Sequence, residues 1–175
     1  MSVTLLDDFK QINTFVFDMD GVLTDGTLFV FENNEFIRRM NIKDGYALQL
    51  AVKRGYHVLV ISGAVSEPVK TRLNGLGISN VYMKVKDKTR VLHEFVESNN
   101  ISLKQCLYMG DDIPDLEVMK MVGLATAPSD AVEEIKSVSH YISPYKGGMG
   151  CVRDVIEKVM KLNNDWYAES EVTSR

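Results

Sequence analysis

TFVFDMDGVLTDG, residues 14–26, opens with an apolar run that closes on a carboxylate, Asp18, and then breaks into acidic residues and glycines. A near-continuous apolar stretch this short, bounded by turn-forming residues, reads as a strand buried on both faces, as in a parallel sheet. The chain leaves that strand carrying two carboxylates, Asp18 and Asp20, within three residues.

Outward from this strand the pattern alternates. Thr27–Phe31 and Glu35–Met40 are strand-like and flank Asn33-Asn34, a pair that tolerates the positive φ of a tight turn, so they predict a projecting β-hairpin flap. Asp44 can cap a helix whose apolar positions are Ala47, Leu48, Leu50, Ala51 and Val52, ending near Gly55. Further strands are expected at His57–Ser62, Val81, Gln105–Gly110, Leu124–Thr126 and Tyr141. Helices are expected over about Ser66–Leu76, Lys88–Ser98, Pro114–Met121, from Asp130, and over Cys151–Leu162. Strand alternating with helix predicts an α/β, Rossmann-like parallel sheet with helices on both faces, its ligand beyond the carboxyl ends of the strands. Residues 1–175 read as one domain with a polar tail from about residue 163.

Composition fits that reading. The 175 residues are 45% hydrophobic and 25% charged, enough to bury a core without disulfides or a structural metal. A net charge of −4 with no long basic block argues against nucleic acid or anionic lipid as partners. No apolar run is long enough to span a bilayer, and the N-terminus lacks a signal core, so the expectation is a cytoplasmic protein. Cys106 and Cys151 fit reduced, structural thiols. The three histidines stand on separate elements without ligand-like spacing, which leaves zinc unsupported.

Polar groups cluster where strands should end: Asp18 and Asp20, then Ser62, then Gly110-Asp111-Asp112, with Lys88 opening a helix between. In their order FDMDGVLTDG (17–26), SG (62–63), KDK (86–88) and GDDIPD (110–115) resemble the four motifs of the haloacid dehalogenase superfamily. TDG, the hairpin, VKTRLNGLGI (69–78) and KGGMGCVRD (146–154) resemble, more narrowly, its capless 3-deoxy-D-manno-octulosonate 8-phosphate (KDO 8-phosphate) phosphatases.

The resemblance implies that Asp18 attacks phosphorus to form an aspartyl phosphate, and that Asp20 protonates the leaving alkoxide and then activates water. Mg²⁺ would be held by Asp18, the Asp20 backbone carbonyl and Asp111, neutralising two anions that otherwise repel. Lys88, Ser62 and the Gly63 amide would bind the phosphoryl group, with Lys84 and Lys86 as competitors for the role of Lys88. Asp112 and Asp115 would hold the metal's waters or Lys88 in place. The resemblance also implies a homotetramer whose sites are completed by a neighbouring subunit. Arg72 is then the candidate partner of a sugar acid carboxylate, against an ordinary solvated helix arginine. Ala64 stands where many relatives carry a charge, which keeps 2-keto-3-deoxynononic acid and N-acylneuraminate 9-phosphates open as substrates. A receiver-like phosphoacceptor domain would share the acceptor Asp, hydroxyl and Lys, but it would lack a second acid at the position of Asp20.

Overall fold

The strands of the computed structural model, which describes residues 4–167, are β1 (Thr14–Phe17), β2 (Phe29–Val30), β3 (Phe36–Ile37), β4 (His57–Ile61), β5 (Asn80–Tyr82), β6 (Cys106–Met109), β7 (Leu124–Ala127) and β8 (Tyr141–Ile142). Six of them form one sheet in the order β5-β4-β1-β6-β7-β8, with every neighbouring pair parallel. β2 and β3 pair antiparallel as the separate hairpin. The central strand β1 is TFVF, buried at all four positions. Its partners lie in register on both sides, Phe17 opposite Val60 of β4 and opposite Met109 of β6.

Side chains alternate across the sheet and divide the core in two. Phe15 and Phe17, with Val58, Val60, Leu107 and Met109, face α2 (Ile42–Lys53) and α7 (Cys151–Leu162), together with α1 (Leu5–Lys10) and α3 (Glu67–Gly75). Val16, Leu59, Ile61 and Tyr108 face α4 (Lys88–Ser98), α5 (Leu116–Met119) and α6 (Glu133–Val138). Each fully buried aliphatic or aromatic side chain contributes about 1.5–3 kcal/mol, so the doubly covered sheet is the main source of stability.

The structure departs from the sequence expectations at several places. An unforeseen first helix, α1, is closed by a reciprocal capping box between Thr4 and Asp7. The cap of α2 is Asn41, which accepts from the Lys43 amide, and not Asp44. Asp44 is instead buried and accepts from the amides of Gly150 and Arg153, tying α2 to the start of α7. The flap strands are only two residues each, with Asn34 at φ +64° in the turn. The start of the expected polar tail is docked: Trp166 packs against the core, Tyr56 donates to the Asp165 carboxylate, and the Arg54 guanidinium lies over the Tyr167 ring. The remainder of the tail, 168–175, lies outside the described residues.

Candidate active site

β1, β4 and β6 end at the same edge of the sheet, where the strand order reverses and open α/β sheets place their ligands. Asp18 follows β1 and its amide still bonds to Met109, continuing the ladder one residue past the strand. The chain then kinks at Gly21, φ +87°, and aims Asp20 back toward the same edge. A β-carbon on Gly21 would stand 1.9 Å from an Asp111 carboxylate oxygen, so only glycine lets the two loops meet. Gly147 packs as tightly from the other side, with its would-be β-carbon 1.9 Å from the Gly21 carbonyl oxygen. The glycine-rich turn therefore buttresses the kink that carries Asp20.

Ser62 follows β4 and is buried, its hydroxyl oxygen accepting from the Ala64 amide. Lys88, capped by Asp87 at the start of α4, reaches across the edge. Its ammonium donates to Asp18 Oδ1 at 2.8 Å and to Asp115 Oδ1 at 2.7 Å. Asp115 also accepts from the Tyr108 hydroxyl at 2.7 Å and from the Asp111 amide at 3.3 Å. Asp115 thus accepts three hydrogen bonds and orients Lys88. Asp112 is exposed and caps the turn that follows it through the Ile113 amide. Asp18, Asp20, Ser62, Gly63, Lys88 and Asp111 all line one cleft of about 390 Å³. Lys86 lies on its rim, and Ala64 leaves the wall beside Ser62 small.

The electrostatics of the cleft are unbalanced. Oxygens of Asp18, Asp111 and Asp115 lie within 4.8 Å of one another, with one ammonium among them. Burial, and then the Asp115 charge, push Asp18 up to about 6 in spite of Lys88. Burial and the charges of Asp18, Asp115 and Asp112 push Asp111 up to about 7. For Lys88, burial opposes the charge, but Asp18 and Asp115 together hold its pKa above the usual lysine value. The shared cause is an excess of buried carboxylate over cation. Hard oxygen donors carrying surplus negative charge fit a small divalent cation, which Asp18 and Asp111 would be the freer to hold because Asp115 already accepts three hydrogen bonds.

Two positions outside the motifs enter the site. Arg38, just after β3, forms a bidentate pair with Asp20: Nε to Oδ1 at 2.8 Å and Nη2 to Oδ2 at 3.0 Å. The Thr24 hydroxyl is a third donor to Asp20, the second on Oδ1. Tyr108, in the middle of an apolar strand, is the other. Arg72 lies apart from the cleft that holds Asp18. It lines a neighbouring cavity of about 340 Å³ with Phe36, Ile37 and Arg38 of the same chain, and its Nε and Nη2 are buried with no hydrogen-bond partner among the described residues.

A haloacid dehalogenase-like hydrolase profile matches residues 70–156. The KDO 8-phosphate phosphatase of Yersinia pestis is 32% identical over 150 residues, 86% of this chain and 80% of that one. The Escherichia coli K12 phosphatase of the same name is 30% identical over 160 residues, 91% of this chain and 85% of that one. Among solved structures, the Yersinia pestis phosphatase superposes with a TM-score of 0.89 at 30% identity, covering 92% of this chain and 87% of that one. The Moraxella catarrhalis phosphatase, solved with a magnesium ion, a phosphate ion and KDO, gives 0.88 at 32% identity, covering 91% and 92%. With such identities over most of its length, this chain belongs to the haloacid dehalogenase-like hydrolases, and among them to the family of the KDO 8-phosphate phosphatases: it is a phosphatase.

Proposed function

We propose that this phosphatase hydrolyses KDO 8-phosphate to KDO and inorganic phosphate, with Mg²⁺ as cofactor and an aspartyl phosphate on Asp18 as intermediate. The observation that carries the reading is the meeting of Asp18, Asp111 and Lys88 in one cleft with Ser62 and Asp20. The relatives named above support the substrate, and Arg72 beside the cleft, whose Nε and Nη2 have no hydrogen-bond partner among the described residues, suits its carboxylate. When bound by Asp18, Asp111 and the Asp20 carbonyl, Mg²⁺ would supply the positive charge that lets a carboxylate and a phosphate dianion meet.

The protein's own groups then have distinct tasks. Lys88 holds the Asp18 oxygen in place and offsets its charge as the oxygen attacks phosphorus. The Ser62 hydroxyl and the Gly63 amide donate to the phosphoryl oxygens. Asp20 hands a proton to the departing sugar oxygen and later takes one from the water that opens the acyl phosphate. A receiver-like domain needs no such acid, and a phosphatase does.

Exposed apolar residues of the flap, Phe29, Val30, Phe36 and Ile37, support the homotetramer in which a neighbouring subunit completes each site. Sedimentation equilibrium reading a monomer at assay concentrations would reject that arrangement. The buried thiols of Cys106 and Cys151 suit a cytoplasmic setting; among the described residues no helix is long and apolar enough to cross a membrane.

A substrate panel ranked by kcat/KM tests the function. KDO 8-phosphate is expected first, ahead of nine-carbon sugar acid 9-phosphates and hexose 6-phosphates. A nine-carbon substrate in first place would move the assignment, and the small Ala64 would be its structural reason. In the same panel Asp20→Asn is expected to slow sugar phosphates by ~10²–10⁴ but p-nitrophenyl phosphate far less, because nitrophenolate leaves without a proton. Equal losses on both would remove Asp20 from the acid role.

A further inference from the structure

We infer that Arg38 is a specificity-determining latch that occupies both oxygens of Asp20 in the free enzyme and releases them when a substrate carboxylate enters the adjoining cavity. The inference rests on the sugar acid reading above and adds to it how recognition at one end of the substrate reaches the reacting end.

The guanidinium of Arg38 is held tightly: its side chain is only 8% exposed and spans both carboxylate oxygens of Asp20. Thr24 occupies one of those oxygens as well. Oδ1 of Asp20 thus accepts two hydrogen bonds and Oδ2 one, and the two-point grip of the guanidinium fixes the direction in which the remaining Oδ2 lone pair points. Turning either oxygen toward a leaving group therefore requires Arg38 to let go of it.

The same arginine forms part of the wall of the second cavity, opposite no acid. Among the residues that line that cavity are Phe36, Ile37, Pro68 and Val69, and its other cation is Arg72, with two buried nitrogens that find no partner among the described residues. Buried guanidinium nitrogens without acceptors are costly, and the one polar side chain of the wall besides the two arginines is Ser66, whose hydroxyl oxygen accepts from the Val69 amide. An entering carboxylate satisfies Arg72 and presents Arg38 with a fork of the same shape as the one it holds on Asp20. Arg38 can then exchange one carboxylate for the other. A phosphate ester lacking that anion leaves Asp20 latched for all but a minor fraction of the time, and so loses only part of what Asp20 contributes. Its neighbour Arg39 is not equivalent, since it is exposed and pairs with Asp25.

The exchange predicts discrimination in kcat, which a simple binding contact would place in KM. KDO 8-phosphate is compared with its carboxyl methyl ester, which keeps the sugar and the phosphate and removes only the anion. In the native enzyme the ester is expected to lose about tenfold in kcat in addition to any rise in KM, within the 5–150-fold span usual for coupled sites. In Arg38→Met the acid-to-ester ratio of kcat is expected to fall below about twofold, because no latch remains to be opened. Arg38→Lys, which keeps the charge but cannot bridge both oxygens, should give an intermediate ratio. Equal kcat for acid and ester in the native enzyme overturns the latch and leaves the substrate reading intact, and so does an unchanged ratio in Arg38→Met. Absence of any preference for the acid, in kcat or KM, overturns both.

Discussion

Asp18→Asn is expected to lower kcat by at least about 10⁴ while making the metal-free protein more stable. A carboxamide is neutral and a poor nucleophile, so the covalent route closes. Its oxygen can still accept from Lys88, as Asp18 Oδ1 does at 2.8 Å, and its size is unchanged. The gain in stability follows from the direction of the pKa shifts. Asp18 and Asp111 sit at about 6 and about 7 in the folded protein, above the ordinary 3.8. The native state then binds more protons than the unfolded chain between those values, and stability falls as pH rises across that window. Above about pH 7 the cost is fully present, and Asn removes one of the repelling charges. The thermal midpoint of the metal-free native protein is thus expected to be lower at about pH 8 than at about pH 6, with Mg²⁺ narrowing the gap and Asp18→Asn raising the midpoint at the higher pH. Asp44, buried and pushed up to about 6, adds a slope of the same sign that Mg²⁺ does not remove. A midpoint in Asp18→Asn that is lower than native at every pH would contradict the charge account.

Lys88→Met is expected to damage both activity and stability, the opposite pairing. Lys88 is 7% exposed and is, among the described residues, the one cation hydrogen-bonded to Asp18 and Asp115. Its loss leaves three clustered carboxylates uncompensated. Breaking a buried pair from one side typically costs about 3–5 kcal/mol, and losing a charge aimed at the phosphoryl group lowers kcat by about 10²–10³. The stability loss should be largest at about pH 8 and shrink toward about pH 6, since protonating the orphaned carboxylates relieves it. Urea unfolding at the two pH values without divalent cation checks this, and a pH-independent loss would mean that Lys88 acts through packing of its stem.

The fold and most of the cleft were legible because the relevant signals are local. The buried TFVF strand, the amphipathic helix stretches and the glycines that follow β1, β4 and β6 all announce themselves in short windows, and the sheet geometry then gathers Asp18, Ser62, Lys88 and Asp111 at one edge. What was not legible depends on where a side chain points. Tyr108 sits in the apolar run CLYM and reads as core, which it is, yet its hydroxyl holds Asp115. Arg38 and Arg39 are adjacent and alike in sequence. Only the hairpin's orientation sends one to Asp20 and the other to Asp25. Asp44 looks like a helix cap, and the distant start of α7 claims it instead. The docking of Asp165, Trp166 and Tyr167 is invisible in a polar tail, because its partners, Tyr56, Arg54 and the core, are distant in sequence.

The double displacement at Asp18 is tested most directly by the stereochemical course at phosphorus, using a phosphorothioate analogue of the substrate made chiral with two oxygen isotopes and hydrolysed in water carrying the third, so that the inorganic thiophosphate released is itself chiral. Attack by Asp18 followed by attack of water inverts the centre twice, so retention of configuration is the expected result. Inversion would mean that water attacks the ester directly, and the nucleophilic role of Asp18 would be wrong.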